Sequence, residues 1–256
     1  MNGVKAVNAA RHGLAAMAVT VLSGCATVPL SATGPTADPF EAWNRKVFAF
    51  NDAVDAAVLK PVAETYRDVV PVFVRTSINN VFGNFYDVWS TANHFLQGKF
   101  GSGLEMGMRV LTNTVLGAAG IFDVATEAGM QRRSEDFGQT LGMWGLGSGP
   151  YLVLPLLGSS TLRDTTGLLV DRQVSPSTLP GGSADRYAVT AMELISTRAN
   201  LLSAGNLIDS VALDRYSFLR DAYLSRRRDA LYDGAPPMET FEDEPQAPKP
   251  AASAPK

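Results

Sequence analysis

Asp38-Pro39-Phe40-Glu41-Ala42-Trp43-Asn44-Arg45-Lys46-Val47-Phe48-Ala49-Phe50-Asn51-Asp52-Ala53-Val54 reads as the start of an α-helix, and the rest of the fold follows the same period. Asp38 can cap, Pro39 suits the first turn, and Glu41 stands three residues after the cap. Phe40, Trp43, Val47, Phe50, Val54 and Val58 recur at three- and four-residue spacing as a wide, partly aromatic stripe. Pro61 is expected to end or kink this helix. A second segment runs to Val70, and Pro71 opens a third, where Val74, Ile78, Val81, Phe82 and Phe85 share a face.

The pattern continues outward from there. Leu104, Met108, Leu111 and Val115 mark another helix. Tyr187, Ala191, Leu194, Ile195, Leu201 and Leu202 fit a long amphipathic one, and a last helix is predicted over Leu207 to Tyr232. Period-two alternation is almost absent, so the expected class is all-α.

The middle of the chain differs. From Phe137 to Leu162 there is no Asp, Glu, Lys or Arg, yet glycines and prolines interrupt the run. So many breakers argue against one straight spanning helix. Two readings stay open: a buried core with tight loops, or a segment that dips into lipid or borders a lipid passage. Upstream, Leu116 to Met130 is also apolar and glycine-rich, with Asp123 and Glu127 its only acids.

The ends read differently again. Lys5 and Arg11 precede a short apolar core, Gly13 to Val21, too short to span a bilayer as a helix. Leu22-Ser23-Gly24-Cys25 follows and resembles a bacterial lipobox. Residues 1–24 are therefore expected to be a signal peptide, with Cys25 as the lipid attachment residue. Cys25 is the only cysteine, so it has no disulfide partner. Several acyl chains would give lasting attachment where one would be reversible. Ala26, rather than an aspartate, follows the cysteine, which favours the outer membrane as its address. Residues 25–38 read as acylated cysteine plus tether, 39–232 as a single helical domain, and 233–256 as a disordered Pro/Ala/acidic tail.

Composition narrows the function. The 256-residue chain is 46% hydrophobic and 18% charged, with a net charge of -3. That balance speaks against a nucleic-acid binder. Without the signal peptide, one histidine remains, His94, which is expected to pack at a helix surface. With Cys25 acylated there is no Cys-His pair. No G-x-S-x-G elbow exists, and His/Cys clusters for a metal are lacking. No catalytic residue, metal or cofactor is expected. Arg132, Arg133, Glu135 and Asp136 read as a solvated boundary, and Arg226 to Arg228 as a solvated helix end. Arg163, Asp164, Asp171 and Arg172 can form local ion pairs. They also suit a zwitterionic head group, and Arg163, Asp164 and Arg172 are the head-group candidates.

A family resemblance rests on blocks spread over Asp38 to Arg228. They are Asp38-Pro39-Phe40-Glu41-Ala42-Trp43-Asn44-Arg45, Lys60-Pro61-Val62-Ala63, Tyr66-Arg67-Asp68 and Phe95-Leu96-Gln97-Gly98. Asn113-Thr114-Val115-Leu116-Gly117, Gly120-Ile121-Phe122-Asp123, Phe137-Gly138-Gln139-Thr140-Leu141-Gly142 and Gly149-Pro150-Tyr151 follow. Gly158-Ser159-Ser160-Thr161-Leu162-Arg163-Asp164 and Arg220-Asp221-Ala222-Tyr223 complete the set. Together these resemble the MlaA (VacJ) family of phospholipid-transport lipoproteins. Thr165 to Leu169 is more apolar than the family pattern.

The resemblance implies a ring-like helical domain in the inner leaflet of the outer membrane with an amphipathic central channel. It implies phospholipid as cargo, a trimeric porin as neighbour, and a soluble periplasmic (MlaC-like) carrier as recipient. The expected function is removal of phospholipid from the outer leaflet, with no bond made or broken. Gly117, Gly120, Ile121, Phe122, Asp123 and Gly129 are the candidates for a moving hairpin on the lipid path. The other readings are a porin-associated adaptor without transport and a phospholipase using His94 as base.

Overall fold

The computed structural model describes residues 38–178 and 182–237. Cys25, the expected signal peptide, most of the expected tether and the chain beyond residue 237 lie outside them.

The expected helical fold is found. α1 (Glu41–Val54) runs through a π-helical segment (Asp55–Leu59) into α2 (Lys60–Val69). Then come α3 (Val72–Leu96), α4 (Phe100–Val115), α5 (Val124–Glu127) and α6 (Phe137–Met143). After β1 (Tyr151–Leu154) and β2 (Gly158–Thr161) follow α7 (Leu162–Asp171), α8 (Ser183–Asn200), α9 (Leu202–Val211) and α10 (Arg215–Leu231).

Several local expectations are corrected. Phe40, not Asp38, is the N-cap of α1. The Asp38 carboxylate instead accepts from Asn44 Nδ2 (2.8 Å) and from the Tyr216 hydroxyl, tying the segment before α1 to α10. Pro61 does not end the first helix. The backbone widens to a π turn, with Lys60 N–H donating to the Asp55 carbonyl, and Pro61 falls in the first turn of α2, where a missing N–H costs least. The last predicted helix is two: residues 212–214 break it, and the Asp214 side chain caps α10 through Tyr216 N–H.

The β-hairpin was hidden from period-two reading. Tyr151 pairs with Thr161 and Leu154 with Gly158. Tyr151 and Val153 are buried, while Leu152 and Leu154 are half-buried. All four strand residues are apolar, so the alternation exists in burial and not in residue type. The uncharged run therefore divides into α6, a loop and this hairpin. Among the described residues, no helix is long and apolar enough to cross a membrane.

Packing runs in a closed circuit. The α1–α2 rod touches α8 at one end and β1 at the other; α8 touches α3, α3 touches α6, α6 touches α7, and α7 touches β2. α4 lies along α3, and α10 packs on α6 and β2.

The polarity of this packing is inverted. Among the described residues, ten apolar residues are buried against seventeen polar or charged ones. On α4 the sequence stripe Leu104, Met108, Leu111 and Val115 faces outward, at 53–73% exposure. The buried face carries Gly103, Met106, Arg109 and Asn113. α3 does the same, burying Asn84, Asp87, Ser90, Asn93 and His94 while exposing Val81, Val88 and Phe95. α1 buries Asn44 and Val47 and exposes Phe40, Trp43 and Phe50. In water such apolar stripes turn inward. Here polar groups hydrogen-bond to each other inside, and the apolar surface far exceeds what scattered exposed residues explain.

Candidate functional site

The buried polar groups form two centres. The first holds the glycine-rich loop between α4 and α5. Arg109 Nε meets Asp87 Oδ2 (3.3 Å), and its NH1 donates to Thr126 Oγ1 (2.9 Å) and the Met130 carbonyl (2.8 Å). Its NH2 donates to Asp123 Oδ2 (2.6 Å). Arg132 Nε reaches the other oxygen of Asp87 (2.7 Å). Burial pushes the Asp87 carboxyl up, against the pull of the two guanidiniums. Burial would also raise Asp123, but hydrogen bonds from Thr126, Asn113 and Arg109 hold it at about 2.

Above this cluster the loop closes tightly. Gly120 has φ +89°, and an added Cβ would sit 2.8 Å from Asn84 Cβ. A Cβ on Gly117 would fall 2.2 Å from the Phe122 carbonyl oxygen and 2.5 Å from that of Asn113. Ala118 and Ala119 both adopt positive φ, which is strained for residues with a Cβ. Ile121 and Phe122 point outward at 40% and 60% exposure. Gly129 has φ +83° with open space around it. The structure thus brings Gly117, Gly120, Ile121, Phe122 and Asp123 together, with Gly129 just beyond α5.

The second centre links α6, α7 and α10. Arg227 donates to both oxygens of Asp136 and both of Asp164. Arg163 Nε adds a bond to Asp164 Oδ1 (3.0 Å), and the Tyr223 hydroxyl one to Asp164 Oδ2 (2.8 Å). Burial alone would raise Asp164, but the charge of Arg227, then Arg163 and Tyr223, hold it at about 2. Arg163 and Asp164 are therefore buried and mutually satisfied, whereas Arg172 is exposed.

The boundary expectations fail for Glu135 and Arg227, while Arg132, Arg133 and Arg226 are exposed as expected. Glu135 is buried and pairs with Lys99 Nζ (2.9 Å); Asp136 caps α6; Arg227 lies inside, not on a solvated helix end. His94 is buried, with Nε2 3.1 Å from the Arg133 carbonyl, not packed at a surface. Asp171 does not pair with Arg172. Its Oδ1 accepts from the Trp89 indole N–H (2.7 Å) and Phe137 N–H (3.0 Å). No spacing rule marks Arg227, Tyr223 or Asp136 as partners, because they meet only when α10 crosses α6 and α7.

Two cavities flank the β-hairpin. One, of about 230 Å³, is lined by Asp136, Asp164, Asp171 and Arg227 together with Leu154, Leu157 and Leu168. The second, of about 340 Å³, sets Phe48, Leu201, Ile208 and Leu219 against Asp52, Asp55, Arg198 and Arg215. There the Arg198 fork meets both oxygens of Asp55 at 2.6 and 2.7 Å. Ser159 lines both cavities. An amphipathic lining suits a molecule with a charged end and an apolar end.

Residues 36–230 match the family model described as MlaA lipoprotein. The chain belongs to the MlaA lipoprotein family. The intermembrane phospholipid transport system lipoproteins MlaA of Escherichia coli and Shigella flexneri are each 38% identical over 218 residues, 82% of this chain and 84% of theirs. An uncharacterized Rickettsia typhi protein is 34% identical over 194 residues, 75% of this chain and 77% of its own. A solved structure from work on the structural basis for maintenance of bacterial outer membrane lipid asymmetry is 38% identical. It aligns with TM-score 0.65 over 76% of this chain and 98% of its own. The MlaA resemblance read from the sequence blocks is therefore correct, and it carries a role in phospholipid transport and lipid asymmetry.

Proposed function

We propose that this chain, acylated at Cys25, lies in the inner leaflet of the outer membrane, draws phospholipid from the outer leaflet and delivers it to a soluble periplasmic carrier. The observation that carries this reading is the inverted polarity: an apolar outer surface on α1, α3 and α4 around a hydrogen-bonded polar interior. Such a surface is stable against acyl chains, where the apolar stripes lose nothing. The closed circuit of contacts around two amphipathic cavities supports a ring with a central channel. A head group would follow the charged walls while its acyl chains follow the leucines. In this reading the glycine-rich loop, whose Ile121 and Phe122 are exposed, is the element that moves to gate the path.

Transfer would break no bond. His94, the residue a phospholipase would need, is enclosed and turned to a backbone carbonyl. A porin would hold the protein in place against its trimer. An apolar groove on α3 and α4, formed by Val88, Phe95, Leu104 and Met108, offers a surface for a barrel wall. It also favours the second reading, an adaptor that binds a porin and moves no lipid.

The test is deletion followed by complementation. Cells lacking the protein should expose more phospholipid to a membrane-impermeant label and become detergent-sensitive, and the wild-type gene should reverse both. Unchanged surface phospholipid on deletion would remove the transport reading. Porin crosslinks from a purified protein devoid of phospholipid would favour the adaptor.

A further inference from the structure

The smaller cavity carries a charge imbalance. Of its three carboxylates, Asp136 and Asp164 are matched by Arg227 and Arg163, two acids against two guanidiniums. Asp171 is left over. Among the described residues no cation lies within ion-pair distance of it, and its two hydrogen bonds come from neutral donors, both to Oδ1. Oδ2 accepts nothing.

Its position makes the imbalance costlier. Asp171 is the final residue of α7, at the end of the helix where the dipole favours cations. It is half-buried in the lining of a cavity that also includes Leu154, Leu157 and Leu168. A carboxylate kept there without a counter-ion is unfavourable, and burial raises its pKa accordingly.

We propose that Asp171 Oδ2 receives the primary ammonium of a phospholipid head group, making the passage selective for ethanolamine-type over anionic lipids. This rests on the lipid-passage reading above. The cavity, at about 230 Å³, admits a head group and not a whole lipid, so the acyl chains remain outside it. An anionic glycerol head group would bring the same phosphate to this lining without an ammonium for Asp171, leaving only the more distant charge of Arg227.

The experiment uses the full acylated protein reconstituted in vesicles of equal phosphatidylethanolamine and phosphatidylglycerol, with lipid retained on repurification measured by mass spectrometry. The wild type should enrich the ethanolamine lipid about fivefold, the scale of one partly screened ion pair. Asp171→Asn, which keeps the Oδ1 acceptor, should bring the ratio towards one. The wild type should also lose its preference when the ethanolamine nitrogen is N-acetylated, a control that needs no mutation. Glycerophosphoethanolamine, which lacks acyl chains, should not displace the lipid; displacement would overturn the lipid assignment. Lipid retained without head-group preference, or a preference that survives both changes, overturns this inference and leaves transport standing. No retained lipid at all overturns both.

Discussion

The two faces of α4 differ in what holds them. The outer face, Leu104, Met108, Leu111 and Val115, is mostly exposed and touches little of the protein. The inner face, Met106, Arg109 and Asn113, is nearly sealed, and Arg109 alone bridges α3, α5 and the segment after it. The comparison separates two kinds of stability. The fold coheres through hydrogen-bonded charge, and the apolar face answers to the surrounding medium. Substitutions on the two faces should therefore be felt in different measurements.

The largest effect belongs to the inner face. Arg109→Met leaves Asp87 half-compensated and Asp123 short of a partner, and should cost about 3–5 kcal/mol of stability in detergent, read from denaturant unfolding. A loss under about 1 kcal/mol would mean that Arg109 is not the tie between the two helices.

Next comes the outer face. Leu104→Lys should leave detergent stability within about 0.5 kcal/mol, yet weaken partition into vesicles by up to about 2–3 kcal/mol. Equal partition of variant and wild type in a flotation assay would show that this face does not meet lipid.

Between the faces lies the loop. Gly120→Ala places a Cβ at positive φ and against Asn84, and should lower stability by about 1–2 kcal/mol. In cells it should raise label-accessible surface phospholipid. A stability loss with unchanged phospholipid would mark the loop as a structural closure only.

The smallest effect is in acid. Asp123 and Asp164 titrate at about 2 in the folded protein, below the usual carboxylate value. Their contribution is complete above that usual value and is lost as pH falls through about 2. Thermal melts should therefore steepen downward between about pH 4 and pH 2. Asp164→Asn should flatten that limb, and an unchanged limb would show that Asp164 is not held by Arg227.

Much of the architecture was legible. Helical period located α1, α3, α4 and α8, and the quoted blocks gave the family. Which way each helix turns was not legible. Leu104, Met108, Leu111 and Val115 make the same pattern whether they face a core or a bilayer. Nor was the second centre visible: Asp136, Asp164 and Arg227 are far apart in the chain and become partners only when three helices cross. The hairpin escaped because Tyr151-Leu152-Val153-Leu154 is apolar at every position. Of the residues read as suiting a head group, Arg163 and Asp164 are buried in each other's company, while Asp171, expected to pair with Arg172, does not.

By itself the sequence determined most of the helices and the family, because backbone propensity and apolar spacing are local. Tertiary structure alone decided that the polar faces turn inward, that Arg227 neutralises two acids, and that Asp171 is left facing a cavity. Burial and charge pairing depend on groups brought together from distant parts of the chain, and no local pattern records them.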